Sequence, residues 1–167
     1  MLTIPIVPRG YGPWDFKCQG PGPKMIKSII EEVCKIVLVQ SKIKKKDVYI
    51  DIYLKSEEEI SAINKKFMKK DGPCDTITIP VDNQTLKEPG PTLLGTMFLC
   101  LSVIKADAAH IKRNEIAHLA HIVVHSMLHL LGYEHETHEQ TQSMEGKEVF
   151  ILAKLGVSSP YNNIPKV

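Results

Sequence analysis

The alternation of hydrophobic and polar positions along the chain predicts strands at four places. Residues 48–54 alternate with a period of two, which is typical of a strand with one buried face. Runs of β-branched or apolar residues predict further strands at 2–7, 76–79 and 93–101. Pro5 cannot donate a ladder hydrogen bond, so we expect the first strand to lie at an edge of the sheet.

Other stretches repeat their apolar residues every three or four positions, which predicts amphipathic helices. The first covers about 25–39, and the last runs from about 137 to 155. Ser56 and Glu59 form a capping box that opens another helix, which we expect to end near 71–73. The inward face of that helix is predicted to consist of Ile60, Ile63 and Phe67.

The helix predicted from Glu115 to about Leu131 is apolar around most of its circumference. Such a helix has no broad face suited to water, so we expect it to be the buried central element. Asn114 precedes it and is of a residue type that accepts hydrogen bonds from the first backbone N–H groups of a helix. We therefore expect Asn114 to be its N-cap.

Composition narrows the class of protein only slightly. The 167 residues, 43% of them hydrophobic, suit a single domain over residues 1–167. A net charge of +2 is too small to indicate a nucleic-acid partner without local clusters. The pattern shows neither a signal peptide nor an apolar run of about 18 residues, so neither secretion nor membrane spanning is expected. The absence of C-x-x-C spacing fits a reducing cytoplasm; the cysteines are Cys18, Cys34, Cys74 and Cys100.

Residues 125–135 hold three histidines at a spacing suited to one metal ion. His125 and His129 are four apart, so on a helix their imidazoles lie on one face in adjacent turns. Gly132 follows the last apolar turn, where a glycine readily ends a helix and lets the chain bring His135 back. Three protein ligands that leave a fourth position to water are typical of catalytic zinc. The motif therefore predicts one zinc ion per chain, held by His125, His129 and His135.

The same spacing occurs in the metzincin proteases, whose motif is H-E-x-x-H-x-x-G-x-x-H. In zinc peptidases the glutamate takes a proton from the zinc-bound water. This chain has Ser126 at that position, and a serine hydroxyl is not a base at neutral pH. The ligand pattern thus favours a hydrolase but disfavours a peptidase.

Four blocks, in the same order, resemble the YbeY family of bacterial endoribonucleases, the rRNA maturation factors, over most of the chain. The family pattern H-G-x-L-H-L-x-G-Y-D-H is similar to residues 125–135, with Ser126 for glycine and Glu134 for aspartate. The pattern L-N-x-x-Y-R-x-x-D-x-P-T-D-V-L-S-F-P is similar to residues 63–80. The remaining blocks, L-G-D and L-G-x-x-x-P-Y, resemble Leu94-Gly95-Thr96 and Leu155-Gly156 with Pro160-Tyr161.

This resemblance implies an α+β fold with a sheet of about four strands surrounded by helices. The strand and helix pattern agrees with that fold independently. The resemblance also implies a zinc-dependent, single-strand-specific endoribonuclease that acts in rRNA processing, rRNA maturation and ribosome quality control. The implied partners are RNA, above all small-subunit rRNA or ribosomal particles in the cytoplasm, and neither DNA nor a membrane is expected.

Two residues depart from the family pattern at positions that matter for the mechanism. Met68 replaces an arginine thought to contact the RNA phosphate, and methionine has neither a charge nor a donor. Thr96 replaces an aspartate, so any hydrogen bond that the family carboxylate accepts is not expected here. Neighbouring lysines can supply charge to a phosphate, and the alternative is that they form only a solvated helix face. The predicted substrate-binding residues are Lys65, Lys66, Lys69 and Lys70.

Glu134 is the nearest carboxylate in sequence to the predicted ligands, and two roles are open to it. It either accepts the proton of the zinc-bound water, as the predicted catalytic residue, or orients His135. His121 lies one turn before His125, and we interpret it as a hydrogen-bonded helix histidine rather than a fourth ligand. His138 competes poorly as the third ligand because it falls where a helix should start.

The sequence leaves two alternatives to an endoribonuclease. Met68 favours a non-catalytic, zinc-containing ribosome-assembly factor in which the metal only stabilises the fold. A metalloprotease-like metal hydrolase with another substrate is disfavoured by Ser126. A purely structural zinc is disfavoured because no fourth cysteine or histidine is well placed.

Overall fold

The computed structural model describes residues 6–8, 22–42, 48–82 and 89–161. Within these ranges the chain forms an α+β fold with four strands, five α-helices and one π-helical turn. The strands are β1 (Ile6–Pro8), β2 (Val48–Leu54), β3 (Thr76–Pro80) and β4 (Thr92–Leu99). The helices are α1 (Pro23–Gln40), α2 (Glu57–Ile63), α3 (Leu101–His110), α4 (Glu115–Leu130) and α5 (His138–Lys154). The π turn, Asn64–Met68, directly continues α2.

The strands form one mixed sheet with the order β1-β2-β4-β3. β1, β2 and β4 are parallel, whereas β3 runs antiparallel to β4. The first strand lies at an edge, as predicted, although residues 2–5 of that prediction are outside the described ranges. Burial alternates along β2 as expected. Of the four side chains predicted to face the core, Val48, Ile50 and Ile52 are buried and Leu54 is partly buried.

Helix α4 lies at the centre of the fold, as its apolar circumference predicted. Ten of its 16 residues are buried, and it packs against α1, α3, α5, β3 and β4. Met127, Leu128 and Leu130 are fully enclosed, and burying one such side chain contributes about 1.5–3 kcal/mol. The Asn114 side chain accepts a hydrogen bond from the Ala117 N–H at 3.1 Å, which confirms the predicted cap. The helix that carries two of the three histidines is therefore anchored on several sides.

Gly95 permits a close approach between β3, β4 and the end of α4. Its φ is +147°, a conformation that residues with a Cβ rarely adopt. A Cβ here would overlap the Ile79 carbonyl oxygen and would lie 2.7 Å from Leu130 Cδ2. Leu130 directly follows His129, so this contact with the sheet helps to position the C-terminal turn of α4.

The helix opened by Ser56 leaves its predicted course. The capping box is present, because Ser56 accepts from the Glu59 N–H at 3.2 Å and Glu59 accepts from the Ser56 N–H at 2.9 Å. After Ile63, however, the π turn follows and ends at Lys69, whose φ is +57°. The helical segment therefore ends earlier than predicted, with Met68 as its last residue rather than one near 71–73.

Phe67, predicted to face inward, is instead 51% exposed, so that prediction was wrong. Hydrogen bonds in a π turn join residues five apart rather than four. One π turn therefore holds about one residue more than an α-helical turn, which rotates the later positions by roughly 100° relative to a continued α-helix. Ile60, which precedes the π turn, is fully buried as predicted.

Two further expectations concern the chain's environment. Among the helices described, none has the length and apolar character needed to cross a membrane. Cys34, Cys74 and Cys100 are free thiols, and Cys18 lies outside the described ranges.

Candidate metal centre

The three histidines of the predicted motif converge at the C-terminal end of α4. His125 and His129 extend from adjacent turns, and their Nε2 atoms are 3.1 Å apart. The ring of His135 lies 5.5 Å from that of His125 and 5.0 Å from that of His129, measured between centroids. One nitrogen from each ring lies within 4.8 Å of the other two. In the part of the chain that the structure describes, this is the one group of three or more such side chains able to share a metal ion.

The turn after α4 brings His135 to the other two. The Gly132 N–H donates to the His129 carbonyl at 3.0 Å, and the Tyr133 N–H donates to the Leu128 carbonyl at 3.0 Å. These two bonds form a Schellman motif, which places the residue after the helix cap in the left-handed region. Gly132 has a φ of +90°, which glycine adopts at little cost. The chain thus reverses within three residues of the helix end.

The donor set fits a divalent metal ion of the zinc type. Two nitrogens that each lie about 2.0–2.1 Å from a tetrahedral zinc ion are roughly 3.3 Å apart, close to the separation of the two helical Nε2 atoms. Three imidazoles supply three protein ligands, and tetrahedral coordination leaves a fourth position for water or substrate. His135 is exposed, whereas His125 and His129 are half-buried, so the group is accessible from one side.

The buried carboxylate of Glu148 on α5 contacts His125 at Nδ1, the ring nitrogen that does not face the other histidines. The His125 Nδ1–H donates to Glu148 Oε1 at 2.6 Å, which leaves Nε2 free to face the other histidines. Glu148 is only 1% exposed, and it also accepts a hydrogen bond from the Tyr161 hydroxyl. A carboxylate in this position fixes both the tautomer and the orientation of a ligating histidine.

Sequence reasoning did not find Glu148, although a signal was present. Its neighbours on the inward face of α5 are Met144, Ile151 and Leu152, all of which are buried. A carboxylate within an apolar stripe must find a partner, because an unpaired buried charge is costly. In the sequence Tyr161 belongs to the Pro160-Tyr161 block, whereas its hydrogen bond to Glu148 is a contact of the tertiary structure.

The environment of Glu148 favours its ionised form. Burial alone would raise the pKa of this carboxyl, but hydrogen bonds from His121, His125 and Tyr161 lower its pKa to about 2. Burial and the adjacent Glu148 carboxylate raise the pKa of the Tyr161 hydroxyl, so Tyr161 acts as a donor. A negative charge is therefore held directly behind His125.

His129 is held in its neutral form, in which it can bind a metal. Burial lowers the pKa of its imidazole, and the nearby rings of His125 and His135 lower it further. The Glu134 carboxylate lies 3.7 Å from His129 Nδ1 and is half-exposed. The structure thus places Glu134 beside His129, whereas the sequence suggested an orienting role toward His135.

The other histidines lie outside the group of three. His121 Nε2 is 3.5 Å from Glu148 Oε2 and 3.4 Å from the Tyr161 hydroxyl, so it has hydrogen-bonding partners on α5 and beyond, as interpreted from the sequence. His138 is exposed and begins α5. His118 is buried in α4, and His110 is exposed at the end of α3.

Ser126 faces the sheet. It is 0% exposed, and its hydroxyl lies 3.0 Å from Thr76 Oγ1 on β3. Thr76 Oγ1 also donates to the Phe98 carbonyl at 3.1 Å, so Ser126 is the donor to Thr76. Ser126, at the position of the peptidase glutamate, therefore links α4 to β3 by a hydrogen bond.

The predicted substrate-binding lysines lie on and just after the π turn. Lys65, Lys66, Lys69 and Lys70 are all exposed. Met68 lies among them and is 41% exposed. Thr96 is on β4 and partly buried.

A cavity of about 210 Å³ opens beside the histidines. Its wall includes His125, His135 and Glu148 together with Tyr161. The remaining lining residues come from α5 and include Glu145. A ligand that reaches the histidines can therefore occupy space next to them.

Comparisons with known proteins point to one family. A family model described as Endoribonuclease YbeY matches residues 18–156. A protein of Acinetobacter baumannii described as Endoribonuclease YbeY is 38% identical over 120 residues, which cover 70% of this chain and 76% of that protein. A protein of Xylella fastidiosa with the same description is 39% identical over 128 residues, which cover 74% of this chain and 76% of that protein.

The fold also resembles a solved structure. The solution structure of a Thermotoga maritima protein matches with a TM-score of 0.52 and 24% identity. The match covers 83% of this chain and 88% of that protein. At this identity, the likeness supports the fold alone.

Proposed function

Because the chain belongs to the endoribonuclease YbeY family, we propose that it hydrolyses single-stranded RNA with one zinc ion held by His125, His129 and His135. The convergence of these imidazoles, with His125 fixed by Glu148, is the observation that carries this proposal. When bound, zinc supplies a Lewis acid that lowers the pKa of a water to about 7 and polarises a phosphate oxygen.

The chain's own residues prepare the site for that chemistry. Glu148 holds the proton of His125 on Nδ1, so that Nε2 keeps its lone pair. The lowered pKa of His129 keeps its imidazole neutral without a proton having to be displaced. The neighbouring cavity provides room for the nucleotide next to the scissile bond.

Glu134 is our proposed catalytic carboxylate. Its carboxylate is half-exposed and lies 3.7 Å from His129 Nδ1, and in this role it would accept a proton from the attacking water. In the alternative, it only orients His129. Glu134→Gln separates these roles: loss of RNA cleavage with full zinc content supports proton transfer, whereas loss of zinc supports orientation.

We place the substrate backbone on Lys65, Lys66, Lys69 and Lys70. These exposed cations stand in for the charge that Met68 lacks, without the forked geometry of an arginine. Phosphate contacts of this kind release counterions, so RNA affinity should fall steeply as salt increases. Binding that is insensitive to salt, or that survives replacement of all four lysines, would contradict this assignment.

In the cell, we propose a single domain spanning residues 1–167 that acts on small-subunit rRNA or ribosomal particles in the cytoplasm. Its role there is rRNA processing and maturation together with ribosome quality control. Family membership supports this role, and neither a DNA nor a membrane partner is needed for it.

The central experiment compares cleavage of single-stranded and structured RNA, with and without a chelator. We expect cleavage of the single strand that requires metal and is abolished by His129→Ala. His110→Ala is the matched control, because His110 is an exposed histidine at the end of another helix. Cleavage that persists in folded His129→Ala protein would contradict the proposed centre.

Met68 favours a second candidate, a non-catalytic ribosome-assembly factor whose metal stabilises the fold. An uncharged side chain at the position of the family arginine removes one phosphate contact that catalysis would use. RNA binding without cleavage by the metal-loaded protein would support this candidate. Peptidase activity is disfavoured, since Ser126 is buried and hydrogen-bonded to Thr76.

A further inference from the structure

The π turn presents an unusual combination of apolar and cationic side chains. Phe67 is 51% exposed and Met68 is 41% exposed, although an α-helical continuation would have turned Phe67 toward the core. π-helical segments are frequent at functional sites. Lys69, which ends the turn with a φ of +57°, has a conformation uncommon for a residue other than glycine. The chain thus uses an irregular segment to expose an aromatic ring.

One lysine lies over this ring, and three more flank it in sequence. The Lys66 ammonium lies 5.3 Å from the centroid of the Phe67 ring. The Lys69 ammonium donates to the Lys66 carbonyl at 3.0 Å, which directs it back toward the turn. Lys65 is within 3.4 Å of the Asp71 carboxylate, and Lys70 is also exposed. Residues 65–71 thus carry four exposed lysines and one aspartate, and this excess of positive charge complements an anionic ligand.

One loop joins the π turn to β3, which is hydrogen-bonded to the helix that carries His125 and His129. The Asn64 side chain donates to the Gly72 carbonyl at 3.0 Å, which closes the loop that follows the turn. That loop leads directly to Thr76, whose hydroxyl accepts from Ser126, the residue after His125. The eight steps from Met68 to Thr76 span at most about 27 Å even if fully extended. An RNA strand of several nucleotides can therefore contact both places.

We propose that Phe67 is a stacking platform for one unpaired base of the RNA, while Lys66, Lys69 and Lys70 bind the adjoining phosphates. This inference rests on the proposed function and adds to it the residue that selects single strands. A phenylalanine ring has no polar edge group, so it accepts any base by its face and does not read sequence. A base paired within a duplex has both faces stacked already and is not available to the ring.

The test measures binding of a labelled RNA of about twelve nucleotides, a length suited to single-strand sites. The His129→Ala chain is used so that the RNA is not consumed. We expect Phe67→Leu to weaken binding by roughly 5-fold or more, and Phe67→Tyr to leave it nearly unchanged, because only the first removes the ring. A duplex of the same sequence should bind with equal affinity to the Phe67→Leu protein and to the protein that retains Phe67.

Phe150→Leu is the matched control. Phe150 is 50% exposed on α5, and the Lys154 ammonium lies 5.2 Å from its ring centroid, so its immediate setting is like that of Phe67. We expect this variant to bind the single strand as the unsubstituted protein does. Thermal unfolding of each variant distinguishes loss of the ring from loss of the fold.

Equal single-strand affinities of the Phe67→Leu and Phe150→Leu proteins would overturn the platform. The platform would also be overturned if a polyglutamate peptide bound as tightly as the RNA and Phe67→Leu weakened the binding of both equally, because the ring would then not be recognising a base. Cleavage by the protein with all three histidines is scored separately. If cleavage occurs and Phe67→Leu has no effect, only the platform fails; if binding depends on the ring but no cleavage occurs, only the proposed function fails.

Discussion

Replacing Glu148 by Gln should weaken zinc binding without unfolding the protein. The substitution keeps the shape of the side chain but removes its charge. At present three donors approach two oxygens: His125 at 2.6 Å, His121 at 3.5 Å and the Tyr161 hydroxyl. A glutamine offers one oxygen and one amide group, so at least one of these partners must face a donor instead of an acceptor.

The magnitude follows from the bond to His125. A hydrogen bond to a charged group contributes about 1.5–3 kcal/mol, against about 0.5–1.5 kcal/mol for a neutral one. Their difference, about 1–1.5 kcal/mol, corresponds to roughly a tenfold change in an equilibrium constant. Residues that hold a metal-ligating histidine typically change metal affinity by about 10- to 100-fold when mutated. We therefore expect the zinc Kd of Glu148→Gln to rise by about tenfold, and by no more than about 100-fold.

The assay is competition for zinc between the protein and a chromophoric chelator at neutral pH. Glu139→Gln is the control, because it makes the same change on the same helix, at an exposed residue that does not line the cavity beside the histidines. Circular dichroism of the metal-free proteins checks that both variants are folded. A zinc Kd that is the same for both variants would refute the assignment of Glu148 as the residue that holds His125.

Three other predictions concern stability. Gly95→Ala should lower the free energy of unfolding by about 3 kcal/mol in chemical denaturation, because the new Cβ would overlap the Ile79 carbonyl oxygen. Gly146→Ala, at a position of α5 where a Cβ meets no other atom, should raise it by about 0.5–1 kcal/mol. Equal effects of the two substitutions would contradict the close approach at Gly95. Thr76→Val should lower the free energy of unfolding by about 1–3 kcal/mol, because the buried Ser126 hydroxyl loses its hydrogen-bond partner. Adding Ser126→Ala should recover part of that loss. If the effects of the two substitutions are strictly additive, the hydrogen bond is contradicted. Zinc at about 100 times its Kd should stabilise the protein by about 2.7 kcal/mol in thermal unfolding, an effect that His129→Ala should remove.

The spacing of residues in the sequence predicts much of the candidate metal centre. His125 and His129 lie on one face because an α-helix repeats every 3.6 residues, and Gly132 ends that helix because it tolerates a positive φ. These are local properties, so they can be read from neighbouring letters. The buried character of α4 follows in the same way from its apolar circumference.

Local reasoning failed where a short irregular segment intervened. Ile60, Ile63 and Phe67 have the spacing of one helical face, yet Phe67 is exposed because the helix becomes a π turn after Ile63. The change adds one residue per turn, and no single residue type marks it in the sequence. A periodic pattern therefore predicts which element forms more reliably than which way its last turn faces.

The sequence by itself determined the three histidines, the glycine that brings them together and the helix that carries two of them, because each depends on spacing within about ten residues. Only the tertiary structure decided what surrounds them. Glu148 lies 23 positions after His125, and Thr76 lies 50 before Ser126, so their contacts depend on how α5 and β3 pack against α4. Packing is set by the whole core at once, and for that reason the carboxylate that holds His125 and the hydroxyl pair that anchors α4 could be found only in the folded chain.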